Sequence, residues 1–419
     1  MIKKTYDAII IGGGAAGLSA AWNVAKAGFS TAIIERENCL GGILNQCIHT
    51  GFGLHRFGKE LSGPEYAEMD IDLVAANKVD SFINTTVFEI RSNGILKSVF
   101  ASSAEGVTEF ETRAVILSMG CRERNRGNLG IPGTRPSGIM TAGLAQRLLN
   151  IEGYLPGRKA VIIGSGDIGL IMARRLTWSG AIVMGVIEIL PYPSGLARNI
   201  AQCLDDFEIP LYLGHTVSAI NGKERVESVD VSPFKDGVPS LSGTFKIDCD
   251  TVLISAGLIP ENELSVKAGV KLSNATGGPY VDSSMMTNVP GIFACGNVLH
   301  VHDLVDYVSE ESENCGSAVV SYLSSDECSC TQGNISAGSN IKYIVPSKYR
   351  TGIPQKFYMR SLMPFENAML TVKCADKILF ERKLKYVRPP EMQSFTLTPE
   401  MTDGLNENSP EINVSLTEV

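Results

Sequence analysis

The sequence has no C-x-x-C pair, so neither a strong zinc site nor an iron–sulfur cluster is written into it. Its ten cysteines are scattered over 419 residues. That usage reads as reduced thiols in a cytoplasmic chain, not as a disulfide framework. Basic residues are not in excess: 37 Lys and Arg stand against 45 Asp and Glu, for a net charge of −8. Nucleic-acid phosphates need clustered Lys and Arg, so a nucleic-acid partner is excluded. No run of about 18 clean apolar residues occurs, so no membrane span is expected. The opening MIKKTYDAIIIGGG, two lysines before an apolar run, imitates a signal peptide. Asp7 and the triple glycine break that pattern, and a strand–turn–helix accounts for the stretch better.

What the chain does have is length and glycine. It is too long for one ordinary core, so two or three domains are expected. Its 42 glycines concentrate in tight motifs. In YDAIIIGGGAAGLSAAWNVAKAG, residues 6–11 form an apolar run fit for a strand buried on both faces. Gly12, Gly14 and Gly17 follow in G-x-G-x-x-G spacing, then a helix of small residues ends near Gly28. The next strand, TAIIERE, carries Glu35 at its end. Gly12 permits the tight turn, Gly14 lets backbone approach a pyrophosphate, and Gly17 lets helix and strand pack closely. The helix start, at Ala15 and Ala16, offers unpaired N–H groups to phosphate. Glu35, followed by Arg36, can accept from a ribose. A G-x-G-x-x-G set between strands, with an acid about 20 residues on, is a strong dinucleotide signal.

The arrangement recurs in KAVIIGSGDIGLIMARRLTWSGAIVMGVIEIL. Gly164, Gly166 and Gly169 precede a helix that opens with Asp167 and Ile168, and the following strand ends at Glu188. Two such turns imply two cofactors, and the natural pairing is a flavin with a nicotinamide, FAD with NAD. A carboxylate at position 188 bonds both ribose hydroxyls of NAD and repels the 2′-phosphate of NADP, which favours NAD. Arg198 is the nearest downstream cation that can reach the site.

Two further stretches, TRAVILSMGCRER (residues 112–124) and DTVLISAGLIPEN (residues 250–262), resemble strand-ending signatures of flavoproteins with two dinucleotide-binding domains, the pyridine nucleotide-disulfide oxidoreductase family. TNVPGIFACGN (residues 287–297) resembles that family's last FAD motif, with Asn297 where the family has aspartate. GGILNQCIHTGFGLHRFGKELSGPEYA, GCRERNRGNLGIPGTRPSGIMTAG and GNVLHVHDLVDYVSEE are similar to a bacterial FAD/NAD oxidoreductase subgroup that accompanies glycerol-3-phosphate-dehydrogenase-like flavoproteins. The resemblance covers residues 5–390.

It implies an α/β, glutathione-reductase-like fold of two Rossmann-like domains. The FAD domain would be discontinuous, over 1–120 and 255–330, with the NAD domain over 121–254. A small β-rich domain over 331–398 would follow, with strand-like runs from 341, and then a disordered tail over 399–419. The FAD contacts implied are the first turn with Gly42, Val87, Ser118, Met119, Gly120, Gly296 and Asn297. Gly257 joins the second turn on the nicotinamide side. The family's disulfide reductases have two cysteines four residues apart after the Gly-Gly. Here Leu44 stands in the first position, and no histidine follows His302, so the dithiol relay is not expected.

Cys47, with His49 two residues on, is the candidate redox centre beside the flavin. A lone thiol there acts through a sulfenic acid or persulfide only if its pKa is depressed; otherwise it is a small half-buried lining residue. Pairing with Cys39 stays open. His300 and His302, with Asp303 and Asp306, admit a metal, but a polar loop opening the helix beneath the flavin fits better. Cys328 and Cys330, in a polar linker over 324–340, lack a second ligand pair.

Two functions are compatible with these residues. In one, NADH reduces FAD, and electrons pass to oxygen, a quinone, a disulfide or a partner flavoprotein. In the other, the chain is an electron-transfer or regulatory subunit without its own turnover.

Overall fold

The computed structural model describes residues 2–325, 332–405 and 409–419, and the chain divides into two compact units. One comprises Met1–Cys121 with Pro260–Val419, the other Arg122–Ile259.

The first unit is built on a seven-stranded sheet. Ile2–Ile11 lies at its centre, parallel to Thr31–Ile34 on one side and to Gly106–Leu117 on the other. Ala8 to Ile11 are buried, as a strand covered on both faces requires. Gly106–Leu117 has two roles along its length. Its first half pairs antiparallel with Leu96–Ser103, and its end pairs parallel with Ile292–Ala294. The helices Ala15–Lys26 and Val305–Ser324 pack against this sheet, with Leu18, Val24, Val308 and Val319 in one core. Helix Gly63–Ala76 starts with a capping box between Ser62 and Glu65. It is tied to Val305–Ser324 by Arg56, which bonds Asp70 at 2.7 and 2.8 Å and Glu313 at 2.7 Å.

The second unit holds a five-stranded parallel sheet, ordered Ile139–Thr141, Thr251–Ile254, Lys159–Ile163, Ile182–Glu188, Leu211–Leu213. Helix Asp167–Trp178 covers it, burying Leu170, Met172, Ala173 and Leu176. An antiparallel group led by His215–Gly222 and Val226–Lys235 completes the unit.

The C-terminal β domain belongs to the first unit. Its five-stranded sheet and a three-stranded sheet enclose a core that includes Phe357, Leu370, Val372 and Phe395. Two expectations are corrected. The polar stretch 324–340 is not all linker, because Gln332–Ala337 is a strand of the five-stranded sheet; Cys328 and Cys330 lie outside the described residues. Nor is 399–419 a disordered tail. Ile412–Glu418 is an interior strand, between Gln332–Ala337 and Phe365–Cys374. Its alternation puts Ile412, Val414 and Leu416 into the core, each fully buried. Burial of about 1.5–3 kcal/mol for each such side chain outweighs the polar composition around it. Among the described residues, no helix is long and apolar enough to cross a membrane.

Candidate functional site

The first glycine turn closes at the C-terminal ends of three parallel strands. Gly12 has φ +104°, and a Cβ there would stand 2.5 Å from Ser118 O. Gly17 lies where a Cβ would come within 1.8 Å of Gly12 O. The Ser118 hydroxyl donates to the carbonyls of Ile11 and Gly12 at 2.8 and 3.0 Å. Gly296, φ +72°, leaves room for Ala16, whose Cβ a side chain at 296 would meet at 2.6 Å. The turn at 12–17, Ser118 and Gly296 therefore converge on one point, although they are up to 284 residues apart in sequence (296 − 12). Met119 and Gly120 continue from Ser118, with Gly120 at φ +72°. Val87 lies in strand Thr86–Asn93, beside Ala101.

Gly14 caps helix Ala15–Lys26 with ordinary backbone angles and no side-chain cap, and the helix has no acid in its first turn. A Cβ on Gly14 would meet nothing nearer than Gly42 Cα at 3.9 Å. This helix start fits a pyrophosphate on three counts: unpaired helix N–H groups, no competing carboxylate, and space in front. Glu35, 6% exposed, holds the turn by accepting from Gly13 N at 2.6 Å and Glu37 N at 2.8 Å. A carboxylate has about four acceptor positions, so capacity remains for a ribose. Arg36 points to solvent and is 3.9 Å from Glu37.

Gly42 opens a short 3-10 turn, Gly42–Gln46, whose start is pressed on Gly14. Cys47 ends that turn, half-buried, its thiol donating to Ile43 O at 3.3 Å. His49 Nδ1 meets Thr50 O at 3.0 Å, and its ring packs on Phe52. Cys39 is exposed and accepts from Asn45, and none of the described cysteines forms a disulfide. Leu44 is 3% exposed and packs with Tyr66 and Ala67.

In the second unit the same logic repeats. Gly164, φ +96°, is pressed on Ser255 O, and Gly169 on Gly164 O. Gly166 caps helix Asp167–Trp178, and a Cβ on it would meet nothing within 4 Å. Asp167 is drawn aside by Leu196 N and Asn199 Nδ2, at 2.9 and 2.7 Å, while Ile168 packs against the core. Gly257 has φ +92° and accepts from Arg124 N. Glu188 is 4% exposed. Its Oε2 accepts from Ser165 N, Ser165 Oγ and Ser194 Oγ at 2.9, 2.5 and 3.0 Å, and Oε1 accepts from Leu190 N at 2.9 Å. The carboxylate is thus the anchor of the turn, and only Oε1 has capacity left for a ribose. That departs from a carboxylate standing clear for both hydroxyls. Arg198 is exposed at the start of the Ala197–Cys203 helix.

One functional group escapes the sequence reading. Glu311, fully buried, accepts from Gly296 N at 2.7 Å through Oε1. Its Oε2 meets His300 Nε2 at 2.6 Å, and His302 Nε2 is 3.3 Å from Oε1. Burial pushes the Glu311 carboxyl up, but the two imidazoles outweigh that and hold it well below the usual carboxylate range. The only signal was position: 308, 311, 315 and 319 follow helical spacing, so Glu311 occupies an apolar-stripe place. His300, His302 and Glu311 come within reach of one ion. Metal-binding imidazoles usually donate their second N–H to a partner, yet Nδ1 of neither ring makes a hydrogen bond. Asp303 and Asp306 do not join the group. Asp303 accepts from Met392 N, and Asp306 from His55 N. Asn297 Oδ1 accepts from His302 N at 2.9 Å, and Nδ2 reaches Cys121 Sγ at 3.6 Å.

The family model for pyridine nucleotide-disulphide oxidoreductases matches residues 6–319. Thioredoxin reductase of Treponema pallidum is 29% identical over 301 residues, covering 71% of this chain and 90% of its own. Hydrogen cyanide synthase subunit HcnB of Pseudomonas protegens is 27% identical over 290 residues, 64% of this chain and 60% of the subunit. The match therefore spans less than two thirds of that subunit. Among solved structures, T. acidophilum thioredoxin reductase superposes with a TM-score of 0.62 at 26% identity, covering 77% of this chain and 100% of that one.

Proposed function

Because the chain belongs to the pyridine nucleotide-disulphide oxidoreductase family, whose members use FAD and NAD(P)H, we propose that it is an oxidoreductase in which NADH reduces FAD and electrons leave for a further acceptor. The observation that carries this reading is the pair of helix starts at Gly14 and Gly166. Both are uncapped by side chains and face open space. Bound FAD supplies the electron-accepting chemistry. The chain's own part is to bind and orient. Helix N–H groups receive the phosphates, Glu35 and Glu188 fix the two turns, and Asn297 with Gly296 borders the flavin end of the first site.

Glu188 supports NADH over NADPH. Its charge is buried and fixed, so a 2′-phosphate brought beside it would face a desolvated carboxylate. NADH is expected to reduce the flavin at least about tenfold more efficiently than NADPH. Glu188→Gln keeps an acceptor for Ser165 but removes the charge, and should narrow that ratio severalfold while flavin content stays constant. Rapid-reaction reduction rates with both nucleotides check this. A wild-type preference for NADPH sinks the assignment.

The acceptor is not reached by an internal dithiol. Leu44, packed in its apolar cluster before Cys47, is not a thiol, and none of the described cysteines is disulfide-bonded to Cys47, which supports a reading without an internal dithiol relay. Anaerobic titration of the flavin-loaded protein is expected to consume two electrons per flavin, and Cys47→Ser should leave NADH reduction nearly unchanged. A four-electron demand that falls to two in Cys47→Ser would make the thiol a working centre.

A second reading, an FAD- and NAD-binding subunit of a larger dehydrogenase, is favoured by the likeness to HcnB, itself named as a subunit. Flavin bleaching by NADH only when a partner flavoprotein is present supports that reading.

A further inference from the structure

The family match ends at residue 319, so the β domain that begins with strand Gln332–Ala337 lies beyond it. We propose that this domain acts on the flavin site, clamping the Gly296–Asn297 turn through the 300–311 segment, with Glu311 as a positioning residue for FAD. The inference rests on the proposed FAD site.

The clamp has two layers. In the inner one, Glu311 holds Gly296 N–H and the His300 imidazole, while His302 N–H is bonded to Asn297. In the outer layer the β domain holds that same segment. Tyr343 and Tyr358 wall in His300, with ring centroids 5.8 and 5.7 Å away. Arg360 donates to Val301 O at 2.9 Å and to Tyr343 Oη at 3.1 Å, and is 3.6 Å from Asp303. Met392 N donates to Asp303 at 3.0 Å, and Lys356 to Glu310 at 2.7 Å.

The energetics make the inner layer consequential. A buried carboxylate survives only while donors surround it, and removing one partner of such a set leaves the others unsatisfied. Glu311 therefore fixes where Gly296 N–H lies, and the β domain, by keeping water off His300 and His302, fixes Glu311. A docking surface would place its polar anchors outward; here several of them, Arg360 and Lys356 among them, turn inward onto one segment.

The test uses the full chain, stripped of flavin and reconstituted. FAD affinity is read by quenching of flavin fluorescence, the bound geometry by visible circular dichroism, and folding by Tm. Glu311→Ala is expected to weaken FAD by about 10- to 100-fold, the scale of losing hydrogen bonds to a charged group, and Glu311→Gln to recover part of it. Arg360→Ala, in a domain that carries none of the proposed FAD contacts, should weaken FAD several-fold and alter the flavin circular dichroism. The NADH KM of the loaded protein should stay unchanged. If Glu311→Ala does not fold, the other two variants decide. Lower Tm with unchanged FAD affinity and unchanged flavin circular dichroism in both Glu311→Gln and Arg360→Ala would make the domain merely structural and overturn the proposal. A wild-type chain that does not bind FAD at all refutes the earlier reading instead.

Discussion

Gly14→Val is expected to yield folded but colourless protein. Gly14 has φ −80° and ψ −171°, which a valine adopts without strain. Its Cβ would meet only Gly42 Cα, at 3.9 Å, so the protein fold tolerates it. The two further methyl groups then project from the helix start, where phosphate oxygens of FAD belong. Loss of that approach should weaken FAD by at least about 100-fold. Gly17→Val is the contrasting control. Its Cβ would stand 1.8 Å from the backbone oxygen of Gly12, which cannot give way as a flexible side chain could, so the strand–helix unit itself should fail. Circular dichroism and flavin content separate the two outcomes. A Gly14→Val protein that purifies with a full complement of flavin would reject the FAD assignment to the first turn.

Gly166→Val should have the complementary effect. At φ −68° and ψ 162°, with nothing within 4 Å of a Cβ, the substitution is tolerated by the fold. The protein should purify yellow and be reduced normally by a small chemical reductant. Its reduction by NADH should slow by about 100-fold or more, because the nicotinamide nucleotide loses the helix start that would receive its pyrophosphate. Normal NADH reduction in this variant would remove the second turn from the reaction.

The two α/β units are legible in the sequence because their constraints are local. Gly12 and Gly17 act on each other across a single turn of chain, and the apolar run from Ala8 to Ile11 needs no distant partner to be read as a buried strand. Glu188 is legible as an acid at a strand end, but not as the acceptor of Ser165 and Ser194. The first bond comes from the glycine turn 23 residues earlier and the second from a loop returning six residues later. Ile412–Glu418 escapes because its partners, at 332–337 and 365–374, are far away in sequence. Seven alternating residues after a Pro- and Asn-rich stretch carry too little signal alone. Glu311 escapes for a related reason. A glutamate in a helix reads as solvent-facing unless its partners are known, and those are Gly296 N–H and His300, with His302 Nε2 3.3 Å away, all brought in by the segment before the helix.

The most direct measurement is anaerobic mixing of the purified, flavin-loaded chain with NADH alone, followed in the visible flavin band. The proposed function predicts rapid bleaching that is complete at one NADH per flavin, with no partner protein added. A flavin that stays oxidised with NADH and with NADPH, yet is reduced by a small chemical reductant, would contradict it.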